Sequence, residues 1–212
     1  ASLAWGNRVS ILKSLDDLMA RMDHAPGSFV MEHEESDLRV FDGFVHRTFQ
    51  SIDAKGFVRA LSGLMKAHGS LEKAMVSGWH FPENPASLEG ALTSFHHAFI
   101  EQQGVENRTR KHVANPAKGS AAKRLNMWLR WMIRSSKRGV DLGIWKSISP
   151  AVLHIPLDVH TSNVGRKLGL LNRRANDWKA VLELTASLRE IDSKDPVRLD
   201  FALFGLGAIE DF

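Results

Sequence analysis

Apolar residues recur at helical spacing along nearly the whole chain. Ile11, Leu15, Leu18 and Met22 predict an amphipathic helix over about residues 1–23, ended by Ala25-Pro26-Gly27. The stretch 37–52 is aromatic-rich and helical in character. Asp53 is placed to cap the next helix, with Phe57, Leu61, Leu64 and Met65 as its stripe and His68-Gly69 as its end. A short helix over 70–77, a loop at Phe81-Pro82-Glu83-Asn84-Pro85 and a helix over about 86–103 follow, the last carrying Leu88, Leu92, Phe95 and Phe99.

A linker-like basic segment, 104–119, separates this half from the next. Ser120 is a candidate N-cap for a helix to about 135, with Leu125, Trp128, Leu129 and Met132 as core positions. Asp158 looks like the N-cap of a helix carrying Val159, Val164 and Leu168, and Asp177 that of a helix to about 189. Asp195-Pro196 reads as an N-cap/N1 pair starting the last helix, whose buried side would be Val197, Phe201, Phe204 and Leu206. No alternating strand pattern persists, and no repeat stands out. The expected class is all-α, with lobes 1–103 and 104–212.

Composition narrows the setting. The 212 residues suffice for one large core or two small lobes. No apolar run reaches the roughly 18 residues a membrane span requires, so no membrane partner is expected. No secretory leader is visible, although the chain does not begin with Met and Ala1 to Trp5 reads like the middle of a helix, so an upstream segment is expected. There are no cysteines, which excludes disulfides, zinc–thiolate sites and cysteine-ligated iron–sulfur clusters in this chain. A cytoplasmic monomer without cofactor is the expectation. The net charge is +4, but its distribution says more. From Asn107 to Val140 the chain carries Arg108, Arg110, Lys111, Lys118, Lys123, Arg124, Arg130, Arg134, Lys137 and Arg138 and no acid, a candidate phosphate-binding surface or a solvated basic face.

Chemistry concentrates in Pro116-x-x-Gly119-Ser120-x-x-Lys123-Arg124. A glycine turn feeding a capped helix presents backbone N–H groups to a phosphate, and Gly119 allows close approach. Lys123 would sit at the positive end of the helix dipole beside Arg124, an environment that favours the neutral amine a nucleophile needs. Lys123, Met127, Arg130 and Arg134 share one helical face, which predicts a basic stripe led by Lys123 and facing away from Trp128 and Met132. Trp128 and Trp131 read as core rather than as stacking platforms. Further along, Pro156-Leu157-Asp158-Val159-His160 supplies an anion kept ionised by its capping bonds, able to stabilise developing positive charge or to assist a proton transfer. A bland alternative exists for each: an exposed lysine at a helix start, and a structural N-cap.

Three segments carry a resemblance: Lys123 to Met132, Pro156 to His160, and Asp200 to Gly207. They resemble a bacterial family without a functional name. More distantly, the hairpin with Gly119 and Lys123 followed by the Asp158 element resembles the helix-hairpin-helix Gly/Pro-Asp DNA glycosylases, which include endonuclease III and the 8-oxoguanine glycosylases. That resemblance implies a two-lobed helical fold with a helix-hairpin-helix element. It implies a base-excision enzyme on double-stranded DNA with a damaged base, an oxidised purine among the candidates. Lys123 would be the Schiff-base nucleophile of a glycosylase with AP-lyase activity, and Asp158 the catalytic carboxylate. DNA contacts would come from Lys118, Gly119, Ser120, Arg124, Arg130, Arg134 and His160. Asn7 would fill the gap left by the flipped base. The hairpin here, Asn115-Pro116-Ala117-Lys118-Gly119-Ser120, departs from the usual Gly-x-Gly form. The interval from Lys123 to Asp158 is longer than in endonuclease III and nearer that of the archaeal 8-oxoguanine enzyme.

Three rivals stand beside this reading. His154, Asp158 and His160 form a His-x3-Asp-x-His cluster that suggests a metal-dependent hydrolase. A non-enzymatic helix-hairpin-helix binding module shares the basic stripe and the hairpin. An RNA-binding protein shares the charge, because phosphate contacts do not tell RNA from DNA.

Overall fold

The computed structural model describes residues 1–77, 79, 87–210 and 212. Capping residues set its helix ends more sharply than the apolar stripes do. The first helix does not begin at residue 1, because Gly6 adopts φ +105° and the Asn7 side chain accepts the Val9 N–H at 2.9 Å. Helix α1 therefore runs Arg8–Arg21. Pro26, expected to close that helix, occupies the first turn of a new one, α2 (Pro26–Glu32), where its missing N–H costs nothing.

The stretch 37–52 departs from the helical expectation. It forms a 3₁₀ turn, Asp37–Phe41, and an antiparallel pair, β1 (Val45–His46) with β2 (Phe49–Gln50). Gly43 at φ +75° and Arg47 at φ +55° interrupt any helix. Phe41, Phe44 and Phe49 then turn into one core with Leu3, Met22, Leu38 and Val58. Helix α3 (Ser51–His68) starts one turn earlier than expected. Gln50 is its N-cap, and Asp53 closes a capping box from the third position. Gly69 ends it in the left-handed conformation, as the sequence predicts. Helix α4 spans Leu71–Ser77 and α5 spans Glu89–Ile100, with Leu88, Leu92, Phe95 and Phe99 buried. The expected loop at 81–85 lies outside the described residues.

The chain divides into two compact units: residues 1–78 with 94–113, and residues 79–93 with 114–212. Side-chain chemistry explains why the division is interleaved. Within the first unit, the buried Asp53 accepts the Thr109 hydroxyl at 2.8 Å and pairs with Arg108 at 3.2 Å. That fastens the 3₁₀ turn Asn107–His112, read from sequence as linker, onto α3. Phe57 and Phe99 meet edge to face, 4.8 Å apart. Within the second unit, Glu89 accepts the Trp178 indole N–H at 2.8 Å.

The second unit is built from α6 (Lys123–Ile133), α7 (Val159–Lys167), α8 (Trp178–Ile191) and α9 (Asp200–Ala208). Asp158 caps α7 and Asp177 caps α8, both as expected. Asp195-Pro196 starts a 3₁₀ turn, Pro196–Leu199, rather than the last helix. Its three residues per turn rotate the stripe that follows. Leu203 is consequently buried, while Phe201 and Phe204, expected in the core, are exposed. On α7 only Val164 of the three predicted apolar positions is buried; Val159 and Leu168 face outward. The fold is predominantly helical, and no helix among the described residues is long and apolar enough to cross a membrane.

His154 makes this unit acid-sensitive. It is fully buried with its ring 5.1 Å from that of Trp178. Burial, assisted by the Arg189 guanidinium and opposed by the Val152 carbonyl, pushes its pKa down to about 3. The folded state thus binds this proton less readily than the unfolded chain, whose histidines titrate near 6.5. Stability from this residue is fully present above about pH 6.5. It falls by up to about 1.4 kcal/mol per pH unit below that, levelling off only near the folded pKa. Urea unfolding at pH 7 and pH 5 checks this: wild type should lose roughly 2 kcal/mol more than His154→Phe. Equal losses would exclude His154 as the cause.

Candidate active site

The approach to Lys123 is a sequence of short-range devices. The Asn115 side chain accepts the Ala117 N–H at 2.9 Å and opens a 3₁₀ turn, Pro116–Lys118. Gly119, at φ +83°, closes it. The Trp178 N–H then binds the Gly119 carbonyl at 3.1 Å, and Ser120 pairs with Asp177 in an isolated antiparallel bridge. Ser120 is therefore not the helix cap that its position suggests. Its hydroxyl accepts the Ala122 N–H at 3.2 Å. Ala122 is the N-cap, buried and left-handed at φ +47°. A non-glycine residue held there costs on the order of 1–2 kcal/mol, strain stored next to the candidate nucleophile. Lys123 becomes the first residue of α6 rather than the third after its cap.

Asp158 arrives by a buried route. Leu153 to Leu157 run through the core, and the Ile155 N–H binds the Thr185 hydroxyl at 3.2 Å. Asp158 then accepts the Thr161 N–H at 2.9 Å. Its other oxygen lies 3.0 Å from Lys123 Nζ. Burial works to raise the Asp158 carboxyl, but the Thr161 N–H and the Lys123 ammonium outweigh it and hold the group below the usual carboxylate range. The lysine side chain is 41% exposed and the aspartate 15%. An accessible amine thus meets a carboxylate that the fold has fixed and kept ionised.

The remaining sequence candidates separate into two sets. Lys118, Gly119 and Ser120 are exposed on the turn before α6, and nothing stands within 4 Å of where a Gly119 side chain would project. Arg124 is half-buried, and burial pushes its pKa down. His160 lies in the first turn of α7, where its Nδ1 pairs with the Gly207 carbonyl at 2.9 Å. Gly207 explains the glycine of the Asp200–Gly207 segment. A Cβ there would meet Val164 Cγ2 at 2.9 Å and the His160 backbone oxygen at 3.1 Å, so only glycine lets α9 cross α7. Asn7 is an exposed helix cap in the first unit.

Arg130 and Arg134 correct the predicted basic stripe. Arg130 is only 2% exposed and binds Asp200 at 2.5 Å and Asp141 at 3.3 Å. Arg134 binds Asp141 at 2.6 Å and Asp195 at 2.9 Å. Both serve an internal ion-pair chain, because acids distant in sequence reach the stripe that local spacing presents as solvent-facing. The phenyl ring of Phe201 covers Arg130 at 4.0 Å. Trp128, read as core, is half-buried against Trp145, ring centres 4.9 Å apart.

Sequence reasoning gave Asp200 no role. In the structure it lies within electrostatic reach of both Lys123 and Asp158. The available signal was the spacing of Lys123 and Arg130, two turns apart on α6. Among the described residues, no group of three or more His, Cys, Asp or Glu side chains converges to hold a metal ion. The His154 and His160 of the rival metal reading have separate surroundings, Trp178 for one and Gly207 for the other.

Residues 1–209 match the family described as Protein of unknown function (DUF2400). The chain belongs to this family. A search of curated proteins and a search of solved structures each find no match. In this DUF2400 member the matched region contains the whole Lys123–Asp158 pair and the ion-pair chain behind it.

Proposed function

We propose that the protein is a base-excision DNA glycosylase with AP-lyase activity. It acts on duplex DNA carrying a damaged base, with oxidised purines the first class to assay. The observation that carries this reading is the 3.0 Å contact between Lys123 Nζ and the Asp158 carboxylate, at the starts of two helices. Once deprotonated, the Lys123 amine attacks C1′ of the sugar. The N–C1′ bond forms and the glycosidic bond breaks, with its electron pair leaving on the base. Ring opening gives the iminium, loss of the C2′ proton follows, and the 3′ C–O bond breaks by β-elimination. Asp158 faces the positive charge that develops at C1′ and lowers its energy. The open turn Lys118-Gly119-Ser120, a helix-hairpin-helix-like element in this reading, meets a DNA phosphate with the exposed Lys118 ammonium, with Arg124 nearby, because the Lys118 and Gly119 backbone N–H groups already bind the Asn115 and Pro116 carbonyls. His160 and Asn7 are assigned DNA contacts on the family resemblance alone.

The test is strand nicking of a duplex with one abasic site, followed by a panel of duplexes with single damaged bases. Nicking with the β-elimination end group is expected. Salt-dependent binding without nicking of any duplex would instead mark a binding module. Asp158→Asn separates charge from capping, since asparagine caps a helix about as well as aspartate. The single-turnover rate should fall about 10²–10³-fold at unchanged DNA affinity. An unaltered rate would assign Asp158 to capping alone.

A further inference from the structure

A row of aliphatic side chains lies exposed just beyond the C-terminal end of α6. Val140, Leu142 and Ile144 are 47%, 57% and 58% exposed, whereas Asp141, Gly143 and Trp145 between and after them are buried. The order is inverted, with a charge inside and aliphatics outside. The inward residues explain it. Asp141 is gripped by Arg134 at 2.6 Å and by Arg130 at 3.3 Å. Gly143, at φ +59°, lies so close to the end of α6 that a Cβ there would stand 2.7 Å from the Arg134 carbonyl oxygen. Trp145 packs its ring on Trp128. The backbone is pinned as well: the Leu142 N–H donates to the Trp131 carbonyl at 2.7 Å and the Trp145 N–H to the Met132 carbonyl at 2.8 Å. With these anchors fixed, the side chains at 140, 142 and 144 face outward whatever they are, and polar residues would serve folding equally well. Three aliphatics in one file form a patch, unlike the singly scattered apolar residues of an ordinary surface.

The surroundings specify the partner. Lys137 and Arg138, in the 3₁₀ turn Ser136–Arg138, and Lys146, which follows Trp145, are exposed cations at the two ends of the row. Between Ser135 and Ser149 the sequence holds one acid, Asp141, and it is turned inward onto the arginines. The partner is therefore anionic and offers apolar surface between its charges. Three side chains in single file present far less area than the roughly 800 Å² per partner that a stable protein interface buries. Stacked bases flanked by phosphates fit so narrow a ridge, because Leu and Ile enter between base steps as wedges while cations hold the backbone on either side. We propose that Val140, Leu142 and Ile144 form a wedge that inserts into the base stack of duplex DNA, with Lys137, Arg138 and Lys146 on the adjoining phosphates. The inference rests on the DNA partner of the proposed function and not on its lyase chemistry. Opening the stack is the step that extrusion of a base requires.

The probe is a duplex with one tetrahydrofuran abasic analogue, which has no aldehyde and forms no Schiff base, and with 2-aminopurine next to it. The readouts are the rise in 2-aminopurine fluorescence on unstacking and the Kd across salt concentrations. Wild type should raise the fluorescence at least about twofold at saturation. Leu142→Ser combined with Ile144→Ser should remove most of that rise and weaken binding about tenfold at an unchanged salt slope. Lys137→Ala combined with Arg138→Ala should lower the slope by about two and keep the rise at saturation. Ile144→Ser alone carries the test if the double serine variant melts below the assay temperature, and it should lose about half of the rise. Binding by wild type without any rise, or an unchanged rise in the serine variants, would overturn the proposal. So would duplex binding that survives in the serine variants while binding to phosphatidylglycerol vesicles, or a concentration-dependent dimer, is lost; the row would then serve a membrane or a second copy. Absence of duplex binding by wild type would overturn the DNA reading and this inference together, whereas the expected rise without nicking of an abasic duplex would support the wedge and overturn only the lyase reading.

Discussion

Lys123→Gln is expected to abolish nicking of abasic duplex DNA, lowering the single-turnover rate by at least about 10³-fold, while the protein stays folded. The expected loss is large because no neighbouring side chain replaces the amine that forms the covalent bond. Stability should change by less than about 1 kcal/mol, since the lysine is substantially exposed and an exposed ion pair contributes little. Lys123→Arg is the sharper control. A guanidinium preserves the cation beside Asp158 and any phosphate attraction but is not a nucleophile at neutral pH. Equal failure of both variants would separate covalent chemistry from charge. Wild-type nicking by Lys123→Arg would show that the lysine serves only as a cation.

Arg130→Met is expected to cost about 3–5 kcal/mol and to lower the melting temperature by roughly 10 °C. Arg130 is buried between Asp200 and Asp141. Removing the guanidinium leaves Asp200 without its hydrogen-bonded partner, and Asp141 with Arg134 alone. The surface-stripe reading makes the opposite forecast. It gives a melting temperature within about 1 °C of wild type, together with weaker and less salt-sensitive DNA binding. Thermal melting and salt-titrated binding of this one variant therefore decide whether the ion-pair chain or the basic face describes Arg130.

The sequence made some of these features legible and hid others for identifiable reasons. Features fixed by contacts a few residues apart could be read directly. They include the Asp158 and Asp177 caps, the Gly69 terminus, and the stripe that buries Leu125 and Leu129. Features fixed by distant partners could not. The ten basic residues between Asn107 and Val140 read as a surface because no acid lies among them in sequence. Asp53 nevertheless claims Arg108 from the other end of the first unit, and Asp195 and Asp200 claim Arg134 and Arg130. The same limit explains the misplaced cap of α6. Ser120 has the side chain of an N-cap, but its backbone is held against Asp177, so the cap falls two residues later, on a strained Ala122. The pairing of Lys123 with Asp158 depends on both kinds of information. Each residue could be placed at a helix start from local sequence, whereas their 3.0 Å contact is a product of the packed second unit.

The central claim is that Lys123 forms a covalent bond with the sugar of damaged DNA. Borohydride reduction of wild-type protein on an abasic duplex, followed by proteolysis and mass spectrometry of the adduct, tests it most directly. The predicted result is a single cross-linked peptide with the sugar remnant on Lys123. Its absence, or a remnant on any other amine, would contradict the claim.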